Sequence, residues 1–129
     1  MAVLRLGLRG LRNPAYWRRW SERFGCAPVM EQAGCIWLHA VSVGEVRAAV
    51  PLVRALMQHY PGRRILITTM TPTGSDQVHA LFGRQVEHCY VPYDLPTAVW
   101  RFLNRTRPAL AIIMETELWP NLVAACREK

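Results

Sequence analysis

Trp37-Leu-His-Ala-Val-Ser-Val-Gly-Glu45, running at once into Val46-Arg-Ala-Ala-Val-Pro-Leu-Val-Arg-Ala-Leu56, decides the fold. An apolar run stops at a Ser-Val-Gly turn, and an amphipathic helix follows with a carboxylate in its first turn. A short apolar strand without clean polar alternation belongs in a sheet covered on both faces. Glu45 has two readings. Ser42-x-x-Glu45 is a capping box, with Ser42 at the N-cap and Glu45 at N3. An acid at a strand-to-helix junction is also where a catalytic group sits. The two roles are compatible.

Working outward, the same alternation recurs. Cys35–Val41 reads as the first strand and Gly44–Tyr60 as the helix after it, kinked at Pro51. Arg64–Thr69 is a second strand. Thr71 caps a second helix, with Pro72 at its first position, ending at Phe82-Gly83. Val86–Val91 is a third strand. Asp94-Leu-Pro opens a third helix that reaches about Arg105. Ala109–Met114 is a fourth, almost wholly apolar strand, and a last helix begins near Trp119-Pro120-Asn121. Short apolar strands alternating with helices describe an α/β, Rossmann-like parallel sheet with helices on both faces.

The chain has 129 residues, 51% hydrophobic, with a formal charge of +7 from 16 basic and nine acidic residues. All the basic residues but Lys129 are Arg, which suits bidentate recognition of phosphate and carboxylate. Arg5, Arg9, Arg12, Arg18, Arg19 and Arg23 crowd the start, where Glu22 is the only acid. Residues 1–29 therefore read as a basic amphipathic leader fitted to an anionic membrane surface, and 30–129 as the Rossmann-like domain. Asn13–Phe24 is a short helix ended by Gly25. No apolar run approaches the roughly 20 residues that span a bilayer. The four cysteines and four histidines show no zinc spacing, so no metal is expected. No nucleic-acid-binding motif supports the charge. With no G-x-G-x-x-G, dinucleotide binding has no support either.

Ligands of open parallel sheets bind beyond the carboxyl ends of the strands, where strand order reverses. Three polar clusters fall at such ends: Ser42-Val-Gly-Glu45, Thr68-Thr-Met-Thr-Pro-Thr-Gly-Ser75 and Met114-Glu-Thr-Glu-Leu-Trp-Pro-Asn121. With strand order 3-2-1-4, Glu45 and Glu115 approach each other. One of two neighbouring carboxylates then has its pKa raised, which suits a general base. Glu115 also fits a plain ion pair with an Arg, and Glu117 a helix-dipole role. Thr71, Thr73 and Gly74 offer an anion site at a helix N-terminus or, equally, an ordinary capped turn. His39 reads as a satisfied core histidine.

Taken together, His39-Ala-Val-Ser-Val-Gly-Glu45, Thr68–Ser75, Tyr90-Val-Pro-Tyr-Asp-Leu-Pro96 and Met114–Asn121 resemble the N-terminal domain of 3-deoxy-D-manno-octulosonic acid (Kdo) transferases, from about Pro14 to Lys129. The resemblance implies the N-terminal, acceptor-binding half of a GT-B glycosyltransferase, with the C-terminal domain missing. It implies transfer of Kdo from CMP-Kdo to a lipid A precursor in lipopolysaccharide biosynthesis. Transfer inverts the anomeric centre, uses no metal and takes place at the cytoplasmic face of the bacterial inner membrane. It assigns Glu45 as general base and Glu115 to transition-state support, with Ser42, Gly44, Thr71, Thr73 and Gly74 beside the acceptor. Donor-binding residues are expected outside this chain, which alone is expected to be inactive. The alternative is a truncated, non-catalytic fragment that only binds anionic lipid.

Overall fold

The computed structural model describes residues 19–114 and 119–129. Four strands alternate with four helices: β1 (Cys35–Ala40), α1 (Val43–His59), β2 (Ile65–Thr69), α2 (Pro72–Phe82), β3 (Glu87–Tyr90), α3 (Pro96–Thr106), β4 (Pro108–Met114) and α4 (Pro120–Glu128). All pairings are parallel, as expected from the sequence, and the order is β3-β2-β1-β4, the one under which the ends of β1 and β4 are neighbours.

Every residue of β1 is buried, because the strand is covered on both faces. Successive side chains alternate between those faces. Cys35 and Trp37 pack with Phe102, Leu103 and Leu122 under α3 and α4. Ile36, Leu38 and Ala40 pack with Val46, Val53 and Val78 under α1 and α2. Trp37 anchors the first layer. Its ring meets Phe102 edge-on with centroids 4.9 Å apart. Its Nε1–H donates to Thr68 Oγ1 at 2.8 Å, so the indole is buried without an unmet donor.

Several boundaries differ from expectation. α1 runs unbroken through Pro51, which lies on the exposed side, where water can serve the carbonyl left without its amide partner. Asp94 does not open α3. Leu95 is the N-cap, without a side-chain bond, and Pro96 takes the first helical position. β4 pairs only with β1, so its apolar face is half covered and Leu110 is 51% exposed.

Of the segment read as a basic leader, residues 19–29 pack on the sheet. A 3-10 helix, Trp20–Phe24, ends at Gly25 with φ +88°. A Cβ there would lie 2.2 Å from the Ala98 carbonyl oxygen, so only glycine lets this turn sit on α3. Arg23 and Ala27 are fully buried. The helical expectation for residues 13–18 lies outside the described residues.

This segment also closes one edge of the sheet. Alternate residues of a parallel strand turn both backbone groups to the same side. Val91 N–H bonds inward to the Thr69 carbonyl, while the His88 carbonyl and the Tyr90 N–H face out. Arg19 Nη2 donates to the His88 oxygen at 3.1 Å, and Glu22 Oε2 accepts from Tyr90 N at 2.8 Å. The two side chains are themselves paired, Arg19 Nε to Glu22 Oε1 at 2.9 Å. Together they present a donor and an acceptor where a neighbouring strand would.

Removing Glu22 leaves the Tyr90 N–H without its acceptor and Arg19 without its ion pair. Glu22→Ala is expected to cost about 1–3 kcal/mol of stability, read as a lowered urea midpoint. A midpoint equal to the parent's would show that the clasp contributes nothing.

Candidate functional site

The chain passes from β1 to β2 to β3 in one direction, then returns to the other side of β1 for β4. α1 and α4 therefore leave neighbouring strands toward opposite faces, which opens a crevice at the carboxyl ends of β1 and β4. The sequence-predicted residues after β1 and β2 border this end. The two loops are tied together, because Met70 N donates to the Val41 carbonyl at 3.1 Å.

Ser42 is the N-cap of α1, with φ −138° and ψ 178°, and Glu45 lies in the first turn. The reciprocal capping box expected from the spacing does not form. Ser42 makes no side-chain cap bond. The Glu45 carboxylate reaches back one residue further, and its Oε2 accepts from the Val41 N–H. Oε1 has no hydrogen-bond partner among the described residues. Glu45 is half-buried, with one carboxylate oxygen held by backbone. The helix N-terminus favours its negative charge. Gly44 has nothing within 4 Å of where a Cβ would stand, so the turn leaves open space beside the acid.

After β2, Thr71 caps α2 and its Oγ1 accepts from Gly74 N at 3.0 Å. Thr73 Oγ1 lies 3.4 Å from the same oxygen. Gly74 N–H is thus satisfied within the turn. Gly74 itself is packed so tightly that a Cβ would stand 2.9 Å from Thr71 Oγ1 and 3.2 Å from Thr69 Cβ.

At the end of β4, Met114 is registered against Ala40. Glu115 follows Met114 directly in sequence. Its side chain, its approach to Glu45 and the placement of Glu117 lie outside the described residues. Trp119 returns to view just before α4, its ring 5.3 Å from that of His39 and tilted by 51°. His39 is buried, with Nδ1 2.9 Å from Thr68 Oγ1 and 3.2 Å from the Thr68 carbonyl, as a core histidine should be.

Two parts of this end were not legible in the sequence. Asp94, from the loop after β3, caps α4 across space. Its Oδ1 accepts from Leu122 N at 2.8 Å and its Oδ2 from Asn121 N at 3.3 Å. Asn121 Nδ2 returns a bond to the Asp94 carbonyl at 2.9 Å. No local pattern marks a cap supplied from so far along the chain.

The second is a knot at the end of β3. The guanidinium carbons of Arg19 and Arg23 lie 5.0 and 4.3 Å from the Tyr90 ring centroid. Arg23 Nη2 donates to the Met70 carbonyl at 2.7 Å. Arg19 Nη1 lies 3.2 Å from His88 Nδ1, and His88 Nε2 lies 3.0 Å from Thr69 Oγ1. An Arg can only donate, so Nδ1 is the acceptor and Nε2 carries the proton. Burial, then the charge of Arg19, then His79 lower the His88 pKa to about 3. Arg19 and Arg23 both belong to the stretch read as a basic leader fitted to an anionic membrane surface, and both bond the fold.

A histidine held neutral in the fold takes up its proton more readily when unfolded. Its contribution is full above the unfolded pKa near 6.5 and is lost as pH falls toward the folded value of about 3. Stability is expected to drop by about 1 kcal/mol per pH unit below pH 6.5, and His88→Gln should flatten that slope. Urea midpoints at pH 7.5, 6 and 5 test this. The same slope in parent and variant would remove His88 as the cause.

The family model described as 3-deoxy-D-manno-octulosonic-acid transferase (kdotransferase) matches residues 18–129. The 3-deoxy-D-manno-octulosonic acid transferase of Haemophilus influenzae is 50% identical over 124 residues, covering 92% of this chain and 28% of that protein. That of Bordetella pertussis is 41% identical over 147 residues, covering 97% and 34%. A probable mitochondrial 3-deoxy-D-manno-octulosonic acid transferase of Arabidopsis thaliana is 40% identical over 123 residues, covering 95% and 28%. The chain spans about a third or less of these relatives.

Proposed function

This chain belongs to the 3-deoxy-D-manno-octulosonic-acid transferase family, and from that membership we propose that it is the acceptor-side part of a glycosyltransferase of lipopolysaccharide biosynthesis. In this reading a lipid A precursor presents a hydroxyl at the crevice between β1 and β4. Glu45 takes its proton as the oxygen attacks the anomeric carbon of Kdo. The bond to the CMP phosphate breaks on the opposite face, which inverts that centre. The base strips one O–H bond, one C–O bond forms and one breaks, so no net charge is left on the sugar. No metal takes part. Glu115, next after the residue paired with Ala40, supports the transition state.

The observation that carries this reading is the Glu45 carboxylate. It is held through Oε2 by the Val41 N–H, while Oε1 has no hydrogen-bond partner among the described residues. A base must be oriented yet able to reach the proton it abstracts. Ser42, whose hydroxyl makes no cap bond, and Gly44, with open space beside it, suit the acceptor side. Thr71, Thr73 and Gly74 frame the neighbouring loop. CMP-Kdo is held by residues outside this chain, so the chain alone does not turn over. The work is done at the cytoplasmic face of the inner membrane. No helix among the described residues is long and apolar enough to cross a membrane, and the Arg-rich start attracts anionic lipid.

The test grafts this chain in place of the matching region of the Haemophilus influenzae relative and follows Kdo transfer from CMP-Kdo to a lipid A precursor. Gln can still accept from the Val41 N–H, so Glu45→Gln should stay folded. It is expected to lower kcat at least about 100-fold, with little change in KM. A Gln variant that transfers at near the parent rate would leave Glu45 only its role at the helix start.

A further inference from the structure

Among the described residues Arg23 is the one Arg, Lys, Asp or Glu whose side chain is buried, at 0% exposure. A charge taken out of water is costly, and an apolar side chain of like volume would pack there at less cost. Core stability alone therefore does not account for a guanidinium at this place. What the guanidinium makes, and an apolar side chain could not, is a charge-assisted bond from Nη2 to the Met70 carbonyl at 2.7 Å. It makes that bond while lying over Tyr90, 4.3 Å from the ring centroid.

That bond is the first of three that run across the end of the sheet. Met70 and Val41 each stand one residue beyond a strand, Met70 beyond β2 and Val41 beyond β1. The Met70 N–H donates to the Val41 carbonyl at 3.1 Å. The Val41 N–H in turn donates to Glu45 Oε2. The path starts at the edge of β3, passes the end of β2 and finishes at the end of β1. Its start is fixed, because the Tyr93 N–H donates to the Arg23 carbonyl at 2.7 Å and the neighbouring Glu22 holds the Tyr90 N–H. Its two middle residues act through backbone groups, which have no side-chain freedom to absorb a shift.

We infer that Arg23 is a positioning residue for Glu45, acting through the Met70 and Val41 backbone to fix the direction of the carboxylate. The inference rests on the reading of Glu45 as general base and deepens it. With the Met70 carbonyl held, the Met70 N–H stays aimed at β1 and Val41 cannot swivel at the end of its strand. The Val41 N–H then offers Oε2 a single direction. Without the guanidinium the Met70 carbonyl loses its donor, the loop after β2 relaxes and the carboxylate spreads over several directions. A misplacement of about 1 Å at a reacting group costs on the order of 100-fold in rate. The carboxylate keeps its chemistry and loses its aim, so the loss falls on kcat rather than on KM.

The experiment uses the chain grafted into the Haemophilus influenzae relative and compares Arg23→Met alone with Arg23→Met added to Glu45→Gln. Met fills the space of the arginine stem and cannot donate. Arg23→Met is expected to lower kcat roughly 10–100-fold, with KM within about threefold of the parent. Where Glu45→Gln is already present there is no base left to aim, so adding Arg23→Met should cost at most about twofold more. Hydrogen exchange at the Met70 and Val41 amides of the folded protein should quicken about tenfold in Arg23→Met. An equal fold-loss on both backgrounds would leave Arg23 a fold residue only and overturns the inference. So does a parent-like kcat, or unchanged exchange at Val41, in a folded Arg23→Met. Should Arg23→Met fail to fold, the comparison passes to Arg23→Lys. Lys keeps the charge but has no planar fork to lie over Tyr90 while reaching the Met70 carbonyl, so kcat should fall about 3–10-fold, and only where Glu45 is intact. Parent-like kcat and amide exchange in Arg23→Lys overturn the inference. Near-parent transfer by Glu45→Gln alone defeats the base reading, and the amide exchange still judges whether Arg23 holds Val41.

Discussion

A strand occupied on both edges and both faces, β1, is the constraint from which the rest of the structure follows. Its six residues are all buried, so none of its backbone groups can turn to water. Each must be bonded to a neighbouring strand, because an unmet buried amide costs as much as a lost hydrogen bond. β2 satisfies one side and β4 the other. The chain can reach both only by going out through β2 and β3 and then coming back. That return is the reversal of strand order, and the reversal is the crevice. Core packing and the candidate site therefore have one origin. Trp37 and Leu38 hold β1 in place, and the turn that ends the strand presents Glu45.

The two edges of the sheet are treated differently. At β3 the Arg19–Glu22 pair supplies the donor and acceptor of an absent strand, so that edge is closed by side chains. The closure also explains why residues 19–29, read from the sequence as part of the basic leader, lie against the fold. They are bound by the same edge that they protect. At β4 no such device appears among the described residues. Leu110 is exposed and the strand Pro108–Met114 carries no charged side chain. Exposed apolar edges of this kind recruit further polypeptide.

Charge is divided in the same way. Arginine serves two purposes here, and position in the fold decides which. Arg19 and Arg23 lie over Tyr90 and bond backbone carbonyls, and for the fully buried Arg23 fixed dipoles and an aromatic face replace water. Arg101, Arg105 and Arg107 bond carbonyls too, but keep part of their surface in solvent. Composition shows an excess of positive charge and cannot separate these groups.

Strand identity, helix identity, the parallel character of the sheet and the covering of both faces were determined by sequence alone, because they follow from the spacing of apolar residues and from turn chemistry. Thr71 with Pro72 marked its helix start to the residue, since a cap acts within one turn. The position of Glu45 at the end of β1 was legible for the same reason. Its partner was not, and the structure moved the bond from Ser42 to Val41, where the backbone had already turned. Asp94 caps a helix through residues 27 and 28 positions on, and Glu22 closes an edge 68 residues away. Such bonds leave no periodic trace, because they depend on where two elements are brought together rather than on how either one begins. Tertiary structure alone decided which polar side chains are tied into the fold.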